Sequence, residues 1–371
     1  MNRAKATIER LLEGTNIKIN GDRPWDIRVH DERTYGAVLW GGSLALGETY
    51  MAGWWDCDQI DELITRIFRA DFVHKFRFTP GNVTLFLSAS LGNLVSRSRA
   101  FQIGERHYDA GNDLFQGMLD RRMVYTCGYW KEAKTLDEAQ EAKLDLVCRK
   151  INLKPGQKVL DIGCGWGSFG KFAAEKYGAE VVGVTVSEEQ LRLGRELCKG
   201  LPVELRLEDY RDVKGSYDHI VSLGMFEHVG YKNYRMYMRI VRDHLKDSGL
   251  FLLQTIGGNR SVRHGDPWFN KYIFPNGMIP SVTQIGKATE SIFVMEDWHN
   301  FGPDYDLTTR AWEENFEKHW PELCQKYSER FRRMWRYYLR SSSGLFRARH
   351  LELWQIVFSK KGVPGGYLPV R

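Results

Sequence analysis

The stretch Lys158-Val-Leu-Asp-Ile-Gly-Cys-Gly-Trp-Gly167 decides the fold of this chain. Its first five residues form a short, mostly apolar run that is typical of a buried strand, and a helical pattern follows the glycines. The alternate glycines Gly163, Gly165 and Gly167 allow positive φ values and a close approach of the backbone to a ligand. The stretch therefore predicts a strand, a ligand-binding turn and a helix.

The same alternation of strand and helix continues along the chain. Short apolar runs predict further strands at 180–184, 203–207, 219–223 and 250–256. Capping boxes that begin at Thr135 and Ser187 predict the starts of two helices between and before these strands. Strands that alternate with helices indicate a doubly wound, parallel α/β sheet, and such sheets bind ligands beyond the carboxyl ends of their strands.

The spacing of the glycines indicates the kind of ligand. The motif is GxGxG, whereas dinucleotide-binding folds carry GxGxxG and hold a pyrophosphate at a helix N-terminus. S-adenosylmethionine has no phosphate, so the looser spacing suits it, and Asp161 ahead of the glycines strengthens this interpretation. We therefore expect a class I S-adenosylmethionine-dependent methyltransferase fold.

Two later segments fit the same cofactor. Thr185 stands at the end of the second predicted strand, where a ribose usually lies, and Gln190 is our candidate for binding its hydroxyl groups. Alternatively, Gln190 only closes the capping box of Ser187. After the next strand, Asp209 could accept a hydrogen bond from the adenine amino group and Tyr210 could flank the ring, unless this segment is an ordinary polar loop.

Glu227 and Cys127 are the candidates for catalytic chemistry. Glu227 follows the predicted strand 219–223, so it should point into the crevice above the sheet. Phe226 beside it should raise the pKa of the carboxyl by desolvation, or the carboxyl needs a hydrogen-bond partner. Cys127 has no identifiable base with an oriented His, which a nucleophilic cysteine requires. We therefore expect Cys127 to act through its backbone or its packing.

Composition excludes several classes of protein. The net charge is only +6, which is too low for a dedicated nucleic-acid-binding protein but suits weak attraction to anionic lipid headgroups. The six cysteines show no CxxC or zinc-site spacing, so we expect free thiols in a reducing cytoplasm and no metal site. The charged, amphipathic start of the sequence leads us to expect no signal peptide, and the absence of an apolar run of about 18 residues leads us to expect no membrane-spanning helix.

The length of the chain predicts two domains. Residues 1–100 should form a smaller, mainly helical domain, and residues 101–371 the catalytic domain. Trp54, Trp55 and an amphipathic first helix fit the presentation of a lipid at a membrane surface, although core packing would equally explain the tryptophans. The stretch 257–300 is rich in Gly, Pro and aromatic residues, which indicates a lid-like insert or a packed surface excursion.

Several separated motifs match a known family in the correct order. They are His107-Tyr-Asp109, Tyr125-Thr-Cys-Gly-Tyr-Trp130, Leu160-Asp-Ile-Gly-Cys-Gly-Trp-Gly167, Met225-Phe-Glu-His-Val-Gly230, Asn270-Lys-Tyr-Ile-Phe-Pro-Asn-Gly277, Glu296-Asp-Trp-His-Asn300 and Tyr305. Through them the chain resembles the bacterial cyclopropane fatty acid synthases over nearly all of its length. The resemblance implies transfer of the methyl carbon of S-adenosylmethionine to a cis double bond of a phospholipid acyl chain, with bicarbonate as the proton acceptor.

The resemblance also implies roles for particular residues. It places bicarbonate against the backbone of Cys127 and Ile256, with the side chains of Glu227 and Tyr305 as partners. Gln254 stands where relatives commonly have His; an amide can donate to bicarbonate but carries no charge and no titrating proton. The cofactor contacts that the resemblance adds are Tyr125 and Thr126.

Two other functions stay open at this stage. The chain could be another lipid or small-molecule methyltransferase, which leaves a methyl group instead of a ring, or a non-catalytic lipid-binding protein that has kept the cofactor fold. We expect a cytoplasmic enzyme at the inner face of the membrane, with a phospholipid bilayer containing unsaturated acyl chains as its partner and without nucleic acid. A homodimer is compatible with this description.

Overall fold

The structure is a computed structural model, and it describes residues 3–70 and 111–371. The described residues form two compact units, each built from separate segments of the chain. The first contains 3–70, Arg263–Pro275 and Tyr305–Leu351, and the second contains 111–262, Asn276–Asp304 and Glu352–Arg371. The predicted domain boundary at residue 100 and the His107-Tyr-Asp109 motif lie outside the described residues, so that boundary stays a prediction.

The described elements follow one another in this order. They are α1 (Arg3–Leu12), β1 (Arg28–Val29), α2 (Arg33–Met51), β2 (Trp55–Asp56), α3 (Ile60–Arg69), α4 (Asn112–Met118), α5 (Leu136–Lys150), β3 (Lys158–Ile162), α6 (Ser168–Tyr177), β4 (Glu180–Thr185), α7 (Glu188–Leu197), β5 (Val203–Leu207), β6 (Tyr217–Leu223), a 3₁₀ turn (Phe226–His228), α8 (Tyr234–His244), β7 (Leu245–Gly258), α9 (Pro267–Tyr272), α10 (Val282–Thr289), β8 (Val294–Asn300), α11 (Pro303–Leu323), α12 (Glu329–Arg347) and β9 (Leu351–Ser359).

A seven-stranded sheet organises the second unit. Its strand order is β5-β4-β3-β6-β7-β9-β8. The pairs β5–β4, β4–β3, β3–β6 and β6–β7 are parallel, and β8 pairs antiparallel with β9. The chain leaves β3 first towards β4 and later returns on the other side as β6, so the order reverses at β3. This reversal creates the crevice that such sheets use for ligands.

Alternate residues of the strands bury the two faces of this sheet. Leu160 on β3 and Phe251 on β7 belong to an apolar cluster that α8 and α10 complete. Val159 and Leu252, their neighbours in sequence, belong to a second cluster with α5 and α6. Helices therefore cover both faces, which confirms the predicted doubly wound α/β class and explains why the strands read as continuous apolar runs.

Distant segments of the chain build the first unit, in which α12 packs along α2 and α3. Trp55 is completely buried there, and its ring centroid lies 5.0 Å from that of Tyr50. Arg333 on α12 donates to the Trp55 carbonyl at 3.0 Å and to Asp56 at 2.7 Å. Trp55 is therefore a core residue, as the alternative interpretation of the sequence had it, and α12 belongs to the same unit.

The stretch 257–300 is more regular than the sequence suggested. It contains α9, which begins with a proline, α10, which begins with a complete capping box, and β8. The α9 part packs in the first unit, where a Cβ on Gly47 of α2 would lie 2.3 Å from the Trp268 ring. The α10 and β8 part belongs to the second unit. The stretch therefore contributes to two cores.

Candidate active site

The glycine turn after β3 has two structural glycines and one that faces open space. Gly163, Gly165 and Gly167 have φ values of +81°, +55° and +79°. A Cβ on Gly163 would lie 2.6 Å from the side chain of Met225, and one on Gly167 would meet packed side chains at 2.9–3.0 Å. At Gly165 the nearest atom is Gln190 Nε2 at 3.9 Å. A ligand can therefore approach the backbone at Gly165, as the fit of S-adenosylmethionine requires.

Asp161, at the end of β3, is buried near a lysine that the sequence analysis missed. Burial raises the pKa of Asp161 to about 7, and the positive charge of Lys143 opposes this rise. Burial likewise lowers the pKa of Lys143 to about 8, against the attraction of nearby negative charges. Lys143 lies on the apolar stripe of α5, where helical periodicity places Leu136, Leu144 and Val147. That polar interruption of a core stripe was the available signal.

Helix α5 holds the segment that contains Cys127. Lys143 Nζ donates to Thr126 Oγ1 at 2.8 Å, and Gln140 Nε2 donates to the Thr126 carbonyl at 2.7 Å. The backbone N–H of Tyr129 donates to the carbonyl of Ala139 at 2.8 Å. These bonds come from buried side chains and backbone, so the segment is held in one conformation. The sequence analysis also missed Gln140, which lies on the same buried stripe of α5 as Lys143.

The candidate ribose-binding side chains lie together beyond β4. Ser187 Oγ accepts from the backbone N–H of Gln190 at 3.3 Å, which caps α7. The side chain of Gln190 does not close the capping box, because Thr185 Oγ1 donates to its Oε1 at 3.2 Å. That alternative interpretation of Gln190 is therefore wrong. The carboxamide instead lies between the end of β4 and the glycine turn at Gly165.

The candidate adenine site has an arginine that the sequence analysis did not consider. Asp209 is buried, and Arg211 donates to both of its oxygens, at 2.7 Å from Nε and 2.5 Å from Nη2. Tyr210 is also buried and packs against the ring of Tyr237, with centroids 5.1 Å apart. An adenine amino group that binds Asp209 would therefore share its carboxylate with Arg211. The Tyr210 ring already packs in the apolar core.

Glu227 lies at the carboxyl ends of β6 and β7. The 3₁₀ turn after β6 carries it, and the N–H of Ile256 on β7 donates to Glu227 Oε1 at 2.6 Å. Within the described chain, the buried Oε2 has no hydrogen-bond partner. Burial raises the pKa of Glu227 to about 7, and the backbone N–H of Ile256 and the nearby Thr255 hydroxyl oppose this rise. The carboxyl group can therefore change its protonation near neutral pH, with one oxygen left for a ligand.

Gln254 offers a second unpartnered group on the same strand. It lies two residues before Ile256, so their side chains leave the same face of β7. Its Oε1 accepts a hydrogen bond from Gln355 Nε2 at 2.9 Å. Its Nε2, although fully buried, has no partner among the described residues. A buried amide nitrogen left in this way is a donor that an anion would satisfy.

Cys127 and Tyr305 are the remaining residues that the sequence predicts to contact the anion. The buried thiol of Cys127 donates to the carbonyl of Gly128 at 3.1 Å, a local bond that does not activate it as a nucleophile. Tyr305 lies in the first unit, stacked on Phe346 with centroids 4.5 Å apart. Tyr305 belongs to the first unit and Glu227 to the second, so the predicted action of both side chains on one anion stays a prediction.

The chain can now be compared with known proteins. A family model described as mycolic acid cyclopropane synthetase matches residues 95–356. The cyclopropane-fatty-acyl-phospholipid synthase of Escherichia coli (strain K12) is 51% identical over 361 residues, which cover 97% of this chain and 94% of that protein. This chain belongs to the cyclopropane synthase family.

Solved structures of cyclopropane synthases agree with this membership. A cyclopropane synthase from Mycobacterium tuberculosis aligns with a TM-score of 0.67 and 28% identity, covering 72% of this chain and 100% of that chain. A mycolic acid cyclopropane synthase complexed with SAH and CTAB aligns with a TM-score of 0.66 and 29% identity, covering 70% and 98%. As a cyclopropane synthase family member, the chain is an S-adenosylmethionine-dependent enzyme of the methyltransferase class.

The described residues contain neither a membrane-spanning helix nor a metal-binding cluster. No helix within 3–70 or 111–371 is long and apolar enough to cross a membrane. In the same part of the chain, no group of three His, Cys, Asp or Glu side chains is arranged to hold a metal ion.

Gly165→Val should abolish binding of S-adenosylmethionine to this cyclopropane synthase family member, because the new side chain would fill the space above the turn. Gly156→Val is the matched control: Gly156 also has positive φ, at +75°, and open space around it, but lies before β3. Both variants should lose similar stability in thermal unfolding. Calorimetry should show loss of binding only for Gly165→Val, and equal affinities would remove the turn from the cofactor site.

Proposed function

We propose that this enzyme transfers the methyl carbon of S-adenosylmethionine to the cis double bond of an unsaturated phospholipid acyl chain and forms a cyclopropane ring, with bound bicarbonate as the proton acceptor. Family membership supports the cofactor and the reaction class. The observation that carries the bicarbonate part is the pair of buried, unpartnered atoms Glu227 Oε2 and Gln254 Nε2 at the end of β7.

A small planar anion matches these two atoms. Leaving a buried polar atom without a hydrogen bond costs about 1–3 kcal/mol, so two such atoms near one strand end favour a ligand that satisfies both. Gln254 Nε2 can only donate. Glu227 can donate when it is protonated, and its raised pKa makes the protonated form available near neutral pH. Both donors fit an oxyanion with several acceptor atoms.

The chemistry explains why such an anion is needed. A carbon of the double bond attacks the sulfonium methyl group, the bond from that methyl to sulfur breaks, and the positive charge moves to the acyl chain. Ring closure then requires loss of a proton from the transferred carbon. Bicarbonate supplies the base for that proton when it is bound. Glu227, Gln254 and the backbone N–H of Cys127 would hold and orient it, and the buried surroundings exclude water.

Incubation with S-adenosylmethionine and vesicles of unsaturated phospholipid tests the reaction. Ring formation and simple methylation both add one carbon, so mass does not separate them. Proton NMR of the extracted lipid does, because only the proposed reaction gives the upfield signals of cyclopropane protons. A methyl-branched product would instead support the alternative methyltransferase function.

Substitutions at Glu227 and Cys127 should have unequal effects on turnover. Glu227→Ala removes a side-chain partner of the anion and should lower the rate by about 10²-fold or more. Cys127→Ser should keep most activity, because serine retains the backbone N–H. Rates on vesicles with saturating cofactor give the comparison. A dead Cys127→Ser enzyme beside an active Glu227→Ala enzyme would require a thiolate mechanism.

The requirement for bicarbonate should change with pH through Glu227. Below a pKa of about 7 the carboxyl group is protonated and donates to the anion; above it, the carboxylate repels the anion. The activation constant, expressed as the concentration of the bicarbonate ion itself at each pH, should therefore rise with pH above 7, by at most about tenfold per pH unit. Glu227→Gln keeps a donor that does not titrate, so its activation constant should stay flat between pH 6 and 8. A flat wild-type profile would contradict this role.

The proposal includes peripheral contact with a bilayer, at the inner face of the membrane. The sequence analysis pointed to Trp54 and Trp55 for this contact. Trp55 is buried in the core, and Trp54 is partly covered by Arg33, whose guanidinium lies 4.4 Å from its ring centroid. Trp40 is instead 71% exposed, beside the break of α2 at Gly42. We therefore assign the contact to Trp40.

Trp40→Ser should weaken activity on vesicles about tenfold, the effect of losing roughly 60 Å² of buried apolar surface. Activity on detergent-dispersed lipid should not change. Leu368→Ser is the control, since Leu368 is also highly exposed (85%) but lies in the second unit. Sedimentation with vesicles of anionic phospholipid measures binding directly; equal binding of both variants would exclude Trp40 as the contact.

A further inference from the structure

A pair of buried amides connects β7 with its neighbour in the sheet, β9. Gln254 and Gln355 are both completely buried, and they are 101 residues apart in the chain. Gln355 Nε2 donates to Gln254 Oε1 at 2.9 Å. This bond uses the only acceptor of the Gln254 side chain, and leaves its Nε2 as the buried donor described above.

The bond between the amides goes with one of the two orientations of Gln254. A carboxamide has an acceptor at one end and two donors at the other, and a half-turn about its last bond exchanges them. Only one orientation presents N–H groups to an anion. The exchanged orientation would direct the Gln254 carbonyl oxygen at the anion, and the two would repel each other. Gln355 is also a carboxamide, and its Oε1 is buried without a partner among the described residues. The observed pair, with Gln355 as the donor, is the one that leaves the N–H groups of Gln254 for an anion, whereas the reversed pair would present the Gln254 oxygen.

We propose that Gln355 is a positioning residue for the anion site: it takes the carbonyl end of Gln254 and so directs the amide N–H groups of Gln254 at bicarbonate. The inference rests on the proposed function, since it assumes that bicarbonate binds at the end of β7. Gln355 itself does not touch the reacting atoms. It acts across the sheet, through one hydrogen bond between neighbouring strands.

Gln355→Met tests this role, because methionine has a similar volume but no donor. The activation constant for bicarbonate should rise about tenfold, the effect of losing one oriented hydrogen bond to an anion. The turnover rate at saturating bicarbonate and the affinity for S-adenosylmethionine should stay near wild type. Val357→Ala, two residues further along the same face of β9, is the control: it should lower the unfolding temperature and leave the bicarbonate constant unchanged.

A double-mutant cycle separates positioning from a general structural effect. If Gln355 acts through Gln254, then Gln355→Met should change the bicarbonate constant less than twofold in an enzyme that already carries Gln254→Met. An equal tenfold effect in both backgrounds would overturn the proposal. So would a wild-type bicarbonate constant in Gln355→Met. If the wild-type enzyme itself shows no response to bicarbonate removal and return, the proposed function fails first, and the two failures are thus distinguishable.

Gln355→Glu gives a second test should Gln355→Met not fold. A buried carboxyl group has a raised pKa, and its protonated form can still donate to Gln254 Oε1. The variant should bind bicarbonate nearly as well as wild type at low pH. As the pH rises it should lose affinity more steeply than wild type, because the carboxylate has no donor. A pH profile identical to that of wild type would contradict the positioning role.

Discussion

Strand β3 pairs in parallel with β4 on one side and with β6 on the other. The chain therefore leaves β3 in one direction and returns in the other, and the connections that follow β3 and β6 diverge over the same edge of the sheet. The glycine turn, Thr185 at the end of β4, Glu227 after β6 and Ile256 on β7 therefore lie at the same edge of the sheet.

Burial is the physical condition that gives these groups their properties. An ionised group that leaves water costs several kcal/mol unless it is paired, and most charges near the crevice have a partner. Asp161 faces the charge of Lys143, and Asp209 is bound by Arg211. Glu227 differs, because one of its oxygens is buried without a partner. Paired groups can serve the fold by themselves, whereas an unpaired one indicates a ligand.

The local parts of this arrangement could be predicted from the sequence. The β3 strand, its glycine turn and the position of Glu227 after β6 depend on short stretches whose pattern is complete in itself. The polar interruption of the α5 stripe marks Lys143 but does not identify its partner Thr126. Gln355 was missed because its partner Gln254 lies 101 residues away and no local pattern indicates it. The role of Gln190 was left open for a related reason: a capping box and a contact to a ribose would use the same side chain, and only the bond to Thr185 in the structure excludes the capping box.

The packing of the first unit could not be predicted from the sequence for the same reason. Its helices α2 and α3 pack against α12, which begins 260 residues after the end of α3. Arg333 and Arg347 on α12 bind carbonyl and carboxylate groups near β2 and α3. A Cβ on Gly344 of α12 would lie 2.4 Å from the Asp61 carbonyl, so the helices approach closely. A truncation that removes the N-terminal segment would expose this face of α12. The unit is therefore complete only when its three segments are present, and cutting the chain at a sequence boundary would divide a core.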